Sequence, residues 1–177
     1  LMEVYNVKKV SVIDLLELQH IGKQTFIETF AAENTEENMK KYVEEGFSIE
    51  KLTTELLNSD SEFYFATVNN EVVGYLKINS GNTQTEIKDT NSIEIERIYV
   101  LKAYHGKKVG QLLYDYALKI ANEKNVNYVW LGVWERNMRA INFYKKNGFE
   151  EFDKHIFLLG EDAQTDIMMK LEISSKK

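Results

Sequence analysis

Residues 93–121 change period in mid-course, and that change limits what this 177-residue chain can fold into. "IEIERIYVL" (93–101) alternates apolar and polar side chains, the period of a strand with one face buried. From Val109 onward the apolar residues fall at 109, 112, 113, 116, 117, 120 and 121, the spacing of an amphipathic helix. Between the two stands "HGKKVGQ" (105–111), with two glycines and two lysines at a strand-to-helix junction. The helix leads into "YVWLGVW" (128–134), a nearly unbroken apolar run that reads as a strand buried on both faces.

The flanks extend this pattern. "EVYNVKKV" reads as a first strand, and Ser11 opens "SVID", a capping box with Asp14 at the third helical position. The helix that follows carries Ile13, Leu15, Leu16, Leu18, Ile21, Phe26, Ile27 and Phe30 at helical spacing, and Thr35 and Ser48 each start a further short helix. "EFYFATV", "NNE" and "VVGYLKI" form a hairpin, and the polar "NSGNTQTEIKDTNS" reads as an exposed loop. After residue 134, Asn137 caps "MRAINFYKKN", Gly148 stops it, and two strands close the chain before the tail "SSKK". The order β-α-α-α-β-β-β-α-β-α-β-β predicts an α/β fold: a mixed sheet with helices on both faces, one domain over residues 1–173 and a polar tail at 174–177.

Composition narrows the function classes. With no cysteine there is no disulfide framework, thiolate nucleophile or cysteine-bound metal, and His20, His105 and His155 lack metal-ligand spacing, so no metal is expected. No apolar run approaches membrane-spanning length, and no basic segment leads into an apolar one near the N-terminus, so a cytoplasmic protein is expected. The balance of 22 basic and 28 acidic residues, net −6, argues against a nucleic-acid partner and for a cationic ligand, although solubility alone explains such a charge.

At the junction, the helix beginning near Val109 presents unpaired N–H groups and the positive end of its dipole, and Gly106 and Gly110 let a phosphate approach the backbone. The Gly-Lys-Ser/Thr of a nucleotide-triphosphate loop is absent, as is Gly-x-Gly-x-x-Gly beside a first strand. On these residues alone a structural turn and a phosphate site both remain open.

The following segment separates them. "IYV" (98–100), the loop at 105–110, and Asn137, Ala140, Tyr144, Gly148 and Phe149 in the spacing Asn-x-x-Ala-x-x-x-Tyr-x-x-x-Gly-Phe resemble the GNAT superfamily of acetyl-CoA-dependent N-acetyltransferases. The likeness covers roughly residues 62 to 172. "QTFIETFAAENTEENMKKY", "IEIERIYV", "WLGVWERNMRAINFYKKNGF" and "EDAQTDIMMK" also resemble the PaiA type of bacterial polyamine N-acetyltransferase. The resemblance implies a mostly antiparallel central sheet splayed between its fourth and fifth strands, acetyl-CoA as co-substrate, spermidine or spermine as acceptor, and a homodimer. Two positions depart from the family pattern: His105 stands where Gln or Arg is usual, and Lys108 where the middle glycine is. Lysine is strained there if the position needs positive φ.

Acetyl transfer to an amine sets three tasks. For holding coenzyme A, the resemblance implies the backbone of Ile98, Tyr99 and Val100 beside the pantetheine. It implies the N–H groups of the loop, His105, Gly106, Lys107, Lys108, Val109, Gly110 and Gln111, at the pyrophosphate, and the Asn137 amide nearby. The side chains of Lys107 and Lys108 read equally as a solvated face, and Asn137 as a plain helix cap. Deprotonating an alkyl ammonium at pH 7 costs ~4–5 kcal/mol, which a carboxylate can help offset by accepting the proton. Alternation places Glu94 and Glu96 on one face of their strand, with Ile98 and Val100, while Arg97 points the other way to a structural ion pair such as Asp166. Either glutamate is a candidate base. Tyr144, at the family's acid position, is the candidate donor to the leaving thiolate. Glu28 and Glu33 on the N-terminal helical region, and Trp134 and Glu135 at the end of the buried strand, are candidates for the acceptor pocket. Two further readings stand beside the polyamine one: an acetyltransferase of protein or peptide amines, and a coenzyme A-binding regulator with little turnover.

Overall fold

The computed structural model describes residues 2–173, so the tail expected at 174–177 lies outside the described residues. The elements follow the expected order: β1 (Tyr5–Lys9), α1 (Leu15–Phe30), α2 (Glu36–Gly46), α3 (Ile49–Leu57), β2 (Ser61–Val68), β3 (Glu71–Ser80), β4 (Ser92–Val100), α4 (Val109–Glu123), β5 (Tyr128–Trp134), α5 (Met138–Lys146), β6 (Glu150–Leu159) and β7 (Asp162–Glu172). They build a seven-stranded sheet in the order β1-β2-β3-β4-β5-β7-β6. Every neighbouring pair is antiparallel except β4 and β5. The parallel pair is joined through α4, the helical crossover that a parallel connection requires. Among the described residues no helix is long and apolar enough to cross a membrane.

Local chemistry explains the element ends. Thr35 Oγ1 accepts from the Asn38 N–H at 3.1 Å and Ser48 Oγ from the Lys51 N–H at 3.2 Å, capping α2 and α3. The β2–β3 turn places Asn69 and Asn70 at φ 50° and 70°, the left-handed pair whose twist suits a two-residue hairpin. Asp14 Oδ2 accepts from the Ser11 N–H at 3.0 Å, but the turn so closed is a 3-10 turn (Val12–Asp14), and α1 starts only at Leu15. Hence Ile13 and Leu16, counted in the helical stripe, are 91% and 73% exposed. The segment at 79–92 is likewise more than an exposed loop, because Gln84 is fully buried in it.

Each face of the sheet carries its own core. Ile93, Ile95, Val129, Leu131 and Val133 pack against α4 and α5 through residues such as Leu113, Ala117 and Ile141. Phe63, Phe65, Tyr75 and Trp134 pack on the other face against Leu18, Phe26, Phe30, Phe47 and Leu52 from α1 to α3.

Two irregularities in β4 create the site. Its pairing with β5 covers only Ser92–Tyr128, Ile93–Val129 and Glu94–Trp130, after which the strands part. On the other edge, Leu76 pairs with Ile98 and Lys77 with Arg97, yet Ile78 pairs with Ile95, so Glu96 is the extra residue of a β-bulge. The bulge corrects the facing expected from simple alternation. Ile98 and Val100 join the core of Ile93 and Ile95, whereas Tyr99 joins the opposite core, where the Arg97 guanidinium lies 5.5 Å from the Phe47 ring. The glutamates therefore share a face with Arg97 and Tyr99, not with Ile98 and Val100.

Candidate active site

Where β4 and β5 part, a cavity of about 420 Å³ opens between the two cores. Asn137, Ala140 and Tyr144 line it from the α5 side, and Phe26, Phe30, Tyr42, Phe47 and Phe157 from the α1–α3 side. Residues 94–99 of β4 and Gly132, Val133 and Trp134 of β5 form its walls. The cavity thus runs through the sheet, with one mouth on each face.

Of the predicted coenzyme A contacts, Ile98, Tyr99, Asn137 and Tyr144 line the cavity, whereas Val100 and the junction loop 105–111 do not; the loop adjoins α5 instead, where Gln111 Nε2 donates to Asn147 Oδ1 at 3.3 Å. Gly106 has φ +79°, and a Cβ built there would meet nothing within 4 Å, so the backbone is open to an approaching group. Lys108 is left-handed too, at φ 63° and ψ 20°, and forms the N-cap of α4 without a capping side chain. The position therefore does need positive φ, and lysine carries the strain there. Val109, Gly110 and Gln111 begin the helix, where N–H groups have no intrahelical acceptor. Lys107 differs from the expectation: its N–H is turned back to the Tyr104 carbonyl at 3.4 Å. His105 Nε2 lies 2.9 Å from the Val100 carbonyl and donates to it, fastening the loop to the end of β4. Partial burial, against that hydrogen bond, holds the His105 imidazole below its usual pKa. Asn137 Oδ1 accepts from the Ala140 N–H at 3.2 Å, which makes the cap real and leaves the side-chain NH2 to the cavity.

The opposite mouth is acidic. Glu55, Glu86, Glu94, Glu96 and Asp166 line the cavity, against Lys51 and Arg97. Glu94 is 3% exposed and receives the Thr85 N–H at 2.8 Å, the Thr85 hydroxyl at 2.6 Å and the Asn79 amide at 3.0 Å. Burial pushes its carboxyl up in spite of these bonds, and the neighbouring Glu96 charge adds to the rise. Glu96 meets Lys77 Nζ at 3.0 Å, Arg97 Nε at 3.0 Å and Asn79 at 2.8 Å. Burial pulls its carboxyl up as well, but the Arg97 and Lys77 charges outweigh it and hold Glu96 below the usual glutamate range. Of the two candidate bases, Glu94 is the one whose environment favours taking a proton.

Arg97 pairs with Glu96 and with Glu55 at 3.1 Å, not with Asp166. Tyr144 is buried, lines the cavity, and has its hydroxyl pKa raised by burial and by Tyr114. Trp134 lines the acceptor side, its ring tilted at 38° and 5.0 Å from that of Phe30. Three sequence candidates lie elsewhere. Glu28 accepts from the Lys102 N–H at 2.9 Å, Glu33 pairs with Arg136 at 3.2 Å, and the Glu135 N–H donates to Thr165; all are exposed and none lines the cavity. Glu55, Glu86, Thr85 and Asn79 carry no motif and are assembled only by the fold, and Asp166, within "EDAQTDIMMK", is expected from the sequence only as a partner of Arg97. Among the described residues no group of three or more His, Asp or Glu is placed to hold a metal ion.

Residues 23–149 match the sequence profile of the Acetyltransferase (GNAT) family. An uncharacterized N-acetyltransferase from the pepI 3′ region of Lactobacillus delbrueckii subsp. lactis is 41% identical over 162 residues, 92% of this chain and 94% of that one. The spermidine N(1)-acetyltransferase of Thermoplasma acidophilum is 28% identical over 151 residues, 83% of this chain and 89% of that one. The crystal structure of the PaiA N-acetyltransferase from Thermoplasma acidophilum in complex with coenzyme A superposes with a TM-score of 0.80 at 26% identity, covering 96% of this chain and 99% of that one.

Proposed function

The chain belongs to the acetyltransferase (GNAT) family, and on that premise we propose that it transfers the acetyl group of acetyl-CoA to a primary amine of a polyamine such as spermidine or spermine. The observation that carries the acceptor is the acidic mouth, where five carboxylates line the cavity against two cationic side chains. Such a lining favours a polycation over a neutral or anionic acceptor. The likeness to a spermidine acetyltransferase at 28% identity supports the same reading.

The splayed edge of β4 and the junction loop beside α5 fit coenzyme A. Beyond Glu94 the edge of β4 facing β5 has unpaired backbone groups, which suit an amide-bearing chain. The open backbone at Gly106 and the free N–H groups opening α4 suit a diphosphate. Acetyl-CoA, when bound, supplies the acyl group as a thioester. The protein's part is to hold the amine on the acidic side, with Glu94 accepting its proton directly or through water. Tyr144, kept protonated by burial and lining the cavity, is the donor we assign to the departing sulfur.

The test is a thermal-shift titration with acetyl-CoA, followed by thiol release over an amine panel. Stabilisation and thiol release with spermidine are expected. Release with a lysine peptide and none with spermidine would replace the polyamine reading by the peptide one, and stabilisation without release from any amine would point to a regulator.

A further inference from the structure

Asp166 is a carboxylate in the cavity that the reaction described above does not use. We propose that it anchors a non-reacting ammonium group of the acceptor, and so selects diamines and polyamines over monoamines. The inference rests on the amine-acetyltransferase reading and names the acceptor's second contact.

Three observations place the anchor. The first is position. In the sheet register Glu94 lies beside Trp130 and Asp166 beside Trp134, on the same face. Four residues of β5 separate those backbone levels, about 13 Å at the rise of a strand, and the Asp166 side chain leans back along β5 toward Gly132. An extended polyamine reaches between such points and a short monoamine does not.

The second is pairing. Glu94 is bonded by Thr85 and Asn79, Glu96 and Glu55 by Lys77 and Arg97, and Glu86 lies 3.0 Å from His155 Nε2. Among the described residues no donor is hydrogen-bonded to the Asp166 carboxylate. A half-buried carboxylate without a partner is unfavourable, and an arriving ammonium compensates it. Burial accordingly pushes the Asp166 carboxyl up to about 6, with His155 acting against the rise.

The third is access. Gly132 lines the cavity next to Asp166, and a Cβ there would sit 3.5 Å from Asp166 Oδ2. The missing side chain leaves the carboxylate open to a ligand.

The experiment measures calorimetric binding of spermidine and of n-butylamine to the protein–CoA complex, in wild type, Asp166→Asn and Gly132→Ala. Asp166→Asn should weaken spermidine binding about tenfold or more, the size expected for a bond to a charged group, and leave n-butylamine binding unchanged. Gly132→Ala keeps the carboxylate and sets a methyl in ordinary van der Waals contact with it, on a residue that lines the cavity, so it should weaken spermidine in the same direction. Unchanged spermidine affinity in Asp166→Asn overturns the anchor. So does, in thiol-release kinetics run alongside the calorimetry, an equal loss of kcat for both amines with a displaced acid limb, which would make Asp166 the proton acceptor. Thiol release by the wild type is scored separately: its absence defeats the transferase reading, while the binding comparison still judges the anchor.

Discussion

Thr85 binds Glu94 twice, its backbone N–H donating to Oε1 at 2.8 Å and its hydroxyl to Oε2 at 2.6 Å. Both bonds favour the ionised carboxylate and oppose the rise caused by burial. Thr85→Val removes the hydroxyl bond, so the Glu94 carboxyl should rise further. The acid limb of kcat/KM for spermidine then moves to higher pH. A carboxyl raised in the folded state adds stability below its unfolded value and loses it as pH climbs through the folded one, so Thr85→Val should lose more stability than wild type between acid and neutral pH. An unmoved acid limb would remove Glu94 from the role of base.

Glu96 does different work. It joins Glu55, Lys77 and Arg97 in one network, and the Lys77 side chain is only 5% exposed. Glu96→Gln leaves two buried cations sharing the single carboxylate of Glu55. That should lower stability by about 2–3 kcal/mol, or Tm by roughly 5–10 °C in a chain of this size. Glu94→Gln, which removes a carboxylate burial disfavours, should change Tm far less while abolishing the acid limb. A Tm unmoved by Glu96→Gln would mean the network contributes nothing to the fold.

The contrast between these glutamates shows what the sequence held and what it did not. Element order, helix caps and the Asn137–Phe149 motif depend on near neighbours, and periodicity and cap chemistry reveal them. The bulge at Glu96 depends on the pairing of β4 with β3, a long-range relation that no alternation within β4 encodes. It turned Arg97 toward the glutamates and Ile98 away. Asp166 reaches the cavity only because β7 pairs with the free edge of β5. Glu28 and Glu33 stand outside the cavity for a related reason. They share the helical region with residues that do line the cavity, but they point to Lys102 and Arg136.

Gln84 shows the same limit in a polar segment. Its Oε1 accepts from Trp130 Nε1 at 2.8 Å and Ser92 Oγ at 2.9 Å, and its Nε2 donates to the Gly81 and Asp89 carbonyls at 3.2 and 3.0 Å. The clamp fixes the segment that delivers Thr85 to Glu94. Gln84→Leu should strand the buried Trp130 donor and lower stability by about 2–4 kcal/mol, measured by chemical denaturation. A loss below about 0.5 kcal/mol would show that the segment holds without the clamp.

Lys108 offers a gain instead. A left-handed non-glycine residue is disfavoured by about 1–2 kcal/mol, and glycine returns part of that through its freer unfolded chain. Lys108→Gly should therefore stabilise the protein by about 0.5–1 kcal/mol, with acetyl-CoA affinity kept if the loop acts through its backbone. A large fall in affinity would assign the phosphate contact to the lysine side chain.

Asp166 links the acceptor site to stability. Its carboxyl is raised to about 6 from 3.8, so its contribution is present below pH 4 and lost as pH rises through 6. The Asn variant lacks that loss. Asp166→Asn should be more stable than wild type at pH 7–8, by up to about 3 kcal/mol, with the difference vanishing toward pH 4. A pH-independent difference would mean the carboxylate is not buried as described.

Tyr144 separates chemistry from packing. Its ring lies 5.6 Å from Phe143 and 5.5 Å from Phe149 in the core beside the cavity, and phenylalanine preserves those contacts. Burial keeps the hydroxyl protonated across the working pH range, so it can donate throughout. Tyr144→Phe should lower kcat about 10²-fold, the scale of a lost acid, with the Kd for acetyl-CoA unchanged within about twofold. Because the loss lies in proton donation to the leaving sulfur, an acetyl donor with a more acidic thiol should narrow the gap between variant and wild type. A matching fall in acetyl-CoA binding, with no narrowing, would reduce Tyr144 to a packing residue.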